Sequence, residues 1–303
     1  MRENIEPVKI PVGVQLECPV VGCSPQFDTP VPVRYIALML PVLVQTLPRS
    51  DRANLLAIVL GVGMAFYLAI EPTQGWLLLL LAGLAALGTH GVLRSHPSSP
   101  FARIDDTASF LFLPALLTLG GGLFLEDVVS GYWSVPVGAL TTIGFAALLN
   151  GQYLSVDARW PVYPTARLLV SVCAYVAAFA LYSAVYEFDV GLLGGAFCVG
   201  LVSVLLSLEI LREATPVGST TAARTAAVYP CAIGLVLAQL TWALHFLPLE
   251  GFLAAAFLLL AFYVATGVAQ NYLLSQLDLA TAGEFAVVAA IGLSIVVIAH
   301  NVG

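Results

Sequence analysis

The chain has 303 residues, of which 60% are hydrophobic and 10% charged, with a formal net charge of −7. Soluble domains carry about 25% charged residues and need polar groups for their outer layer, so this composition excludes a water-soluble fold and points to a lipid bilayer as the surroundings. The acidic balance and the lack of any basic run exclude nucleic acid as a partner.

Residues 1–30 hold Pro7, Pro11, Pro19, Pro25 and Pro30 among mixed polar residues and read as an irregular N-terminal tail. Cys18 and Cys23 form a single Cys-x4-Cys pair without a second pair, too few ligands for a closed zinc site. Val20-Val21-Gly22-Cys23 looks like the end of a lipoprotein signal, but Pro11 and Glu17 interrupt the apolar core such a signal needs. Residues 31–303 read as one transmembrane helical domain.

Apolar segments fall near 35–47, 54–70, 76–93, 108–125, 134–150, 165–186, 190–211, 226–246, 252–274 and 283–300. A hydrocarbon core of ~30 Å takes about 20 apolar residues to cross as a helix. Unpaired backbone groups cannot be left in lipid, and the unbroken apolar runs lack the alternation of a membrane β-barrel. The fold class is therefore an all-α polytopic bundle of nine or ten spans. The ambiguity lies in the segment at 35–47, which spans about 20 Å at ~1.5 Å per residue and contains Pro41.

The loops alternate in charge. Arg49 and Arg52, Arg94 and Arg103, Arg159 with Arg167, and Arg212 with Arg224 mark four alternate connections. The intervening loops hold no Lys or Arg but carry Glu71, Glu126, Asp127, Glu187, Asp189 and Glu250. The positive-inside rule puts the arginine-bearing loops in the cytoplasm and the C-terminus outside, in a multi-pass cell-membrane protein. Arg2, Lys9 and Arg34 favour a cytoplasmic tail and nine spans.

Pro114 precedes Tyr153 by 39 residues, and Pro230 precedes Tyr272 by 42. Each Pro lies early in one helix and each Tyr where the next returns, which would make the fourth and fifth segments a parallel repeat of the eighth and ninth. The competing explanation is that Pro and interfacial Tyr are common at these depths.

Ionisable residues deep in a membrane mark function by default, and no segment carries one near its middle. Glu209 is expected to pair with Arg212 in its own last turn, and Arg167 to snorkel to the interface. Gln239, Trp242 and His245 form the main polar group within the membrane. They read either as an inter-helix hydrogen bond with interface anchors or as part of a pocket for an amphipathic ligand. A second group at the cytoplasmic rim comprises Asn150, Gln152, Tyr153, Asp157, Arg159, Tyr163, Gln270, Asn271, Tyr272 and Glu284. These form either a polar mouth or a solvated rim. Gly120-Gly121-Gly122 suggests close helix packing, and Asp105-Asp106 an N-cap. His90, His96, His245 and His300 are scattered, so no metal centre is expected. No phosphate-loop, dinucleotide or nucleophile-elbow motif occurs, so no cofactor is expected either.

Three stretches carry a resemblance. They are Gly91-Val92-Leu93-Arg94-Ser95-His96-Pro97, Gln152-Tyr153-Leu154-Ser155-Val156-Asp157, and Gln239 to Leu249 running on to Gly267-Val268-Ala269-Gln270-Asn271-Tyr272-Leu273. Over roughly residues 76–300 the chain resembles an uncharacterised family of polytopic bacterial membrane proteins frequent in Chloroflexi-type genomes, which implies a bacterial inner membrane and assigns no activity. The leading expectation is a protein that binds or moves a lipid-like or small amphipathic molecule, through a cavity reaching from the rim toward Gln239. The alternatives are a scaffold subunit with a membrane-protein partner, and an intramembrane enzyme using Asp157, Glu284 or Asp106.

Overall fold

The computed structural model describes residues 51–70, 74–94, 104–129, 131–156, 161–188, 190–212, 220–247, 251–276 and 278–302. These all lie in the second of the chain's two units, Pro48–Gly303. The tail at 1–30, the segment at 35–47 and Asp157 fall outside them.

The described residues form nine α-helices: α1 Asp51–Ala69, α2 Gly75–Arg94, α3 Ile104–Val128, α4 Ser134–Leu154, α5 Tyr163–Glu187, α6 Leu192–Leu211, α7 Thr220–Leu244, α8 Gly251–Leu273 and α9 Leu279–Val302. Each is long and apolar enough to cross a membrane. Gly131–Trp133 adds one 3-10 turn, and the described residues contain no strand. The protein is all-α and multi-pass. Consecutive spans run antiparallel, so the described bundle has two ends. One carries Arg94, Arg167 and Arg212; the other carries Glu126, Asp127 and Glu187.

Two prolines sit inside helices, Pro114 in α3 and Pro230 in α7. A proline has no N–H for the carbonyl four residues earlier, and in lipid the freed carbonyl needs another donor. In α3 that carbonyl belongs to Phe110. The Gln152 side chain of α4 donates to it, Nε2 to O, at 3.0 Å. One sequence feature thus explains another: Pro114 opens the acceptor, and the fully buried Gln152 fills it.

Helix pairing repeats along the chain. In the first half α1 packs on α2 and α4, and α2 on α3. Four helices later α5 packs on α6 and α8, and α6 on α7. This recurrence is what a parallel four-helix repeat would produce, although the close α3–α5 packing has no comparable α7–α9 counterpart. Small residues set the tightest crossings. A Cβ at Gly234 of α7 would lie 2.7 Å from the Gly200 carbonyl oxygen of α6. Around these crossings one apolar core joins α3–α8 and includes Tyr182 and Phe262, whose rings meet edge to face at 6.3 Å. Two smaller cores fill the space among α1–α4. The last helix packs chiefly on α8 and leaves Val287, Ile291, Ile295 and Ile298 exposed.

Candidate functional site

The residues singled out in the sequence do not converge on one cavity. Gln239 is exposed on the outer face of α7, and Trp242 beside it is 45% exposed. His245 stacks edge to face on Phe246 and borders a small pocket with Tyr186, Gly191 and Thr241. At the arginine-bearing end, Gln152 lies wholly inside the bundle. Asn150 donates to Asn54 Oδ1 at 2.9 Å, tying α4 to α1. Tyr153 packs against the α1–α4 core. Asn271 donates to the Gly267 carbonyl of its own helix, and Tyr272, 58% exposed, meets the Tyr229 ring at 6.0 Å. Gln270 is half-buried and Glu284 is exposed on α9. Gln239 does not line either of the two large apolar cavities among the described residues, of about 380 and 420 Å³.

One correction concerns charge. Arg167 does not snorkel: it is 5% exposed and reaches across to α6. Its Nη1 lies 3.1 Å from Glu209 Oε1, and its Nη2 donates to the carbonyls of Glu209 and Ile210 at 3.1 and 3.4 Å. These carbonyls belong to the last turn of α6, where no helical N–H is available. Arg167 therefore caps a neighbouring helix at its negative dipole end. Glu209 also sits 3.6 Å from Arg212, as its sequence spacing indicates, and the Arg212 guanidinium lies 3.6 Å over the Phe110 ring. Phe110, Gln152, Arg167, Glu209 and Arg212 thereby lock α3, α4, α5 and α6 together at one end. The sequence signal for Arg167 was its place four residues into an apolar helix; its partner could be found only in three dimensions.

The two large apolar cavities open elsewhere. Between α3, α4 and α5, with Met64 of α1 at its base, lies an apolar cleft of about 380 Å³. Leu117, Gly121 and Phe124 come from α3, Thr141 and Gly144 from α4, and Cys173, Val176 and Phe179 from α5. A Cβ at Gly121 or Gly144 would meet nothing within 4 Å, so these two glycines leave the space open. The adjacent Gly120 and Gly122 do the opposite, since a Cβ at either would strike Leu181 or Leu78. The glycine triplet thus combines the expected close packing with an opening on the face between. The Thr141 hydroxyl donates to the Gly138 carbonyl of its own helix, which leaves the cleft wall apolar.

A second groove of about 420 Å³ lies among α5, α8 and α9. Its wall is offset from the first by a constant 119 positions (140 to 259): Leu140, Thr141, Gly144, Cys173 and Val176 correspond to Leu259, Leu260, Tyr263, Gly292 and Ile295. The same offset relates Tyr153 to Tyr272.

At the acidic end a notch adjoins the first cleft, with Phe124 common to both. Asp127 of α3, Ser183 and Glu187 of α5 and Phe252 of α8 line it. Phe124 meets the rings of Phe179 and Phe252 at 5.9 and 6.0 Å. Nearby, Tyr67 donates to Glu126 at 2.5 Å.

Nine apolar helices around buried polar contacts at one end and a lateral cleft at mid-depth define a multi-pass α-helical membrane protein. Residues 50–299 match the family described as "Protein of unknown function (DUF5656)", and the chain belongs to that family. No curated protein and no solved structure matches it.

Proposed function

We propose that the protein binds, and in doing so moves or presents, a lipid-like or small amphipathic molecule whose apolar part occupies the α3–α4–α5 cleft. The observation that carries this reading is the cleft itself. Its volume lies within the ~300–1,000 Å³ usual for small-molecule sites, its lining comes from the middle of the spans, and two glycines facing it leave room that any larger side chain would take. The setting we propose is a bacterial cytoplasmic membrane, with the arginine-bearing loops on the cytoplasmic side.

The test uses the full chain in liposomes with a phospholipid bearing a diazirine in its acyl chain. Labelled peptides should concentrate on α3, α4 and α5. Gly144→Phe should fill the cleft without disturbing the fold and remove that labelling. Even labelling of every lipid-facing helix, unchanged by Gly144→Phe, would refute the site.

One observation favours the scaffold reading. Gln239 presents an amide on the exposed face of α7 among Leu235, Val236 and Trp242. Polar side chains at such depths hydrogen-bond across helices, so this face suits a helix of a membrane-protein partner. A partner on α7 and a ligand between α4 and α5 occupy different surfaces and are compatible.

A further inference from the structure

A chain that leaves bulk lipid for an apolar cleft gains little from the hydrophobic effect, because lipid tails are as apolar as the cleft wall. Selectivity must come from a polar group at a fixed distance from the chain. The acidic notch beside Phe124 is placed to supply it. We infer that this notch, formed by Asp127, Ser183 and Glu187, seats a primary ammonium group, so that the preferred occupant is an amphipathic cation with a long apolar chain and a compact amine head. This rests on the reading above that the cleft holds the chain.

Five features carry the inference. Ser183 is 5% exposed, and its hydroxyl has no hydrogen-bond partner among the described residues. Many hydroxyls in these helices satisfy themselves on the carbonyl four residues back, as Thr118, Ser203, Thr241 and Thr266 do, while Tyr186 and Ser207 are, like Ser183, buried without a partner among the described residues. Of these three, Ser183 is the one that lines the notch. The acceptor set also fits: an ammonium has three donors and no acceptor, and two carboxylates with one hydroxyl oxygen offer three acceptors on the lining.

Size and charge narrow the choice further. The notch is narrow and half-open, with about 10 Å³ inside it, close to the minimum that holds one water. That space seats an NH3+ group, whereas a trimethylammonium or phosphate head would have to stay at the open side. No Lys or Arg occurs in the sequence from Glu126 to Trp133 or from Glu187 to Asp189, the stretches beside the notch, so no cation of these stretches neutralises it. Phe124, shared by notch and cleft, places an aromatic ring where they meet, a residue type that attracts cations.

The experiment compares three photoreactive probes of equal chain length, with primary ammonium, hydroxyl and trimethylammonium heads, on the full chain in liposomes of neutral lipid. The ammonium probe should label the α3 and α5 peptides in excess of the other two by roughly tenfold or more, as expected for charge-assisted hydrogen bonds. Asp127→Asn with Glu187→Gln should reduce it to the level of the hydroxyl probe and leave the hydroxyl probe unchanged. Ser183→Ala should lower the ammonium probe alone. All these positions lie at the end of the bundle, and thermal unfolding of each variant checks that the fold is kept. Equal labelling of the cleft by the three heads, or an ammonium excess that survives the double substitution, overturns the head-group assignment while the chain site stands. Absence of cleft labelling by every probe overturns the chain site and this inference with it.

Discussion

The contact between Gln152 and the carbonyl of Phe110 is the part of the structure most open to a quantitative test. Gln152→Leu removes the donor at 3.0 Å from a carbonyl that Pro114 already denies its helical partner. Depriving a buried carbonyl of its donor costs about 1–3 kcal/mol. Gln152 Oε1 is itself buried without a partner, and removing it relieves a penalty of similar size, so the single variant should change stability by no more than about 1 kcal/mol. The informative quantity is therefore the coupling with Pro114→Ala. Alanine restores an N–H at position 114, which can close the ordinary helical bond to Phe110. In that background Gln152→Leu loses nothing at the carbonyl and still removes the unpaired oxygen. The double-mutant cycle should show a coupling of about 1–3 kcal/mol, with Gln152→Leu stabilising in the Pro114→Ala background. Unfolding in mixed micelles under increasing denaturing detergent measures all four proteins. Coupling below about 0.5 kcal/mol, the usual limit of additivity, would refute the pairing.

Arg167→Met should destabilise by about 3 kcal/mol, the low end for breaking a buried pair, because Glu209 keeps Arg212 at 3.6 Å. Adding Glu209→Met should recover much of that loss in the same unfolding assay. Gly234→Leu should separate α6 from α7 and cost about 1–3 kcal/mol as overpacking, while Gly144→Phe should stay within about 0.5 kcal/mol of the parent. Reversing that order would overturn the assignment of which glycines pack and which open. Just before α9 the Thr281 side chain and, next, the Thr281 amide, which donates to Asp278 at 2.8 Å, hold the Asp278 carboxyl below the ordinary carboxylate range. Because the folded value is lowered, its contribution to the start of α9 is present above the unfolded pKa of about 3.9 and is lost as pH falls through the folded value. Hydrogen exchange at the first turn of α9 should therefore speed up on acidification, and at neutral pH in Asp278→Ala, with Asp278→Asn intermediate.

What could be read from the chain alone followed from one-dimensional signals. Nine apolar runs closed by charged punctuation became nine helices, because lipid permits no other use of such runs. Pro114 was visible as a feature, but its meaning was not: the donor that replaces its missing N–H comes from Gln152, far along the chain, and side-chain pairing across helices leaves no periodic trace. Arg167 misled for a related reason. A cation four residues inside a helix has a short route to water, and only the arrival of the α6 terminus beside it makes the inward route better. Glu209 and Arg212 were readable because they are neighbours on one helix. The position of Gln239 along its helix was legible, yet that position does not give azimuth, and its side chain lies on the exposed face of α7. The glycine triplet carried two meanings at once, since successive residues on a helix point about 100° apart.

The two apolar grooves show how a repeated architecture can yield one site instead of two. Five positions of their walls correspond across α4–α5 and α8–α9, so the difference between them lies in what stands at and around those positions. In the first groove α3 packs on α5 and closes the back, bringing Phe124 and the acidic notch to one end. In the second, α7 has no comparable contact with α9, and no such wall exists. Gly144 is replaced at the corresponding position by Tyr263, whose ring meets that of Tyr175 edge-on at 5.6 Å and lines the groove. A groove without a back and with tyrosine in place of glycine offers lipid a surface. A cleft with a back, an opening kept by glycine and a polar notch at one end offers a molecule a defined position. If the two descend from one repeat, the functional divergence should reside in these positions, and Tyr263→Gly should enlarge the second groove without conferring head-group selectivity on it, because no counterpart of Asp127, Ser183 and Glu187 lines it.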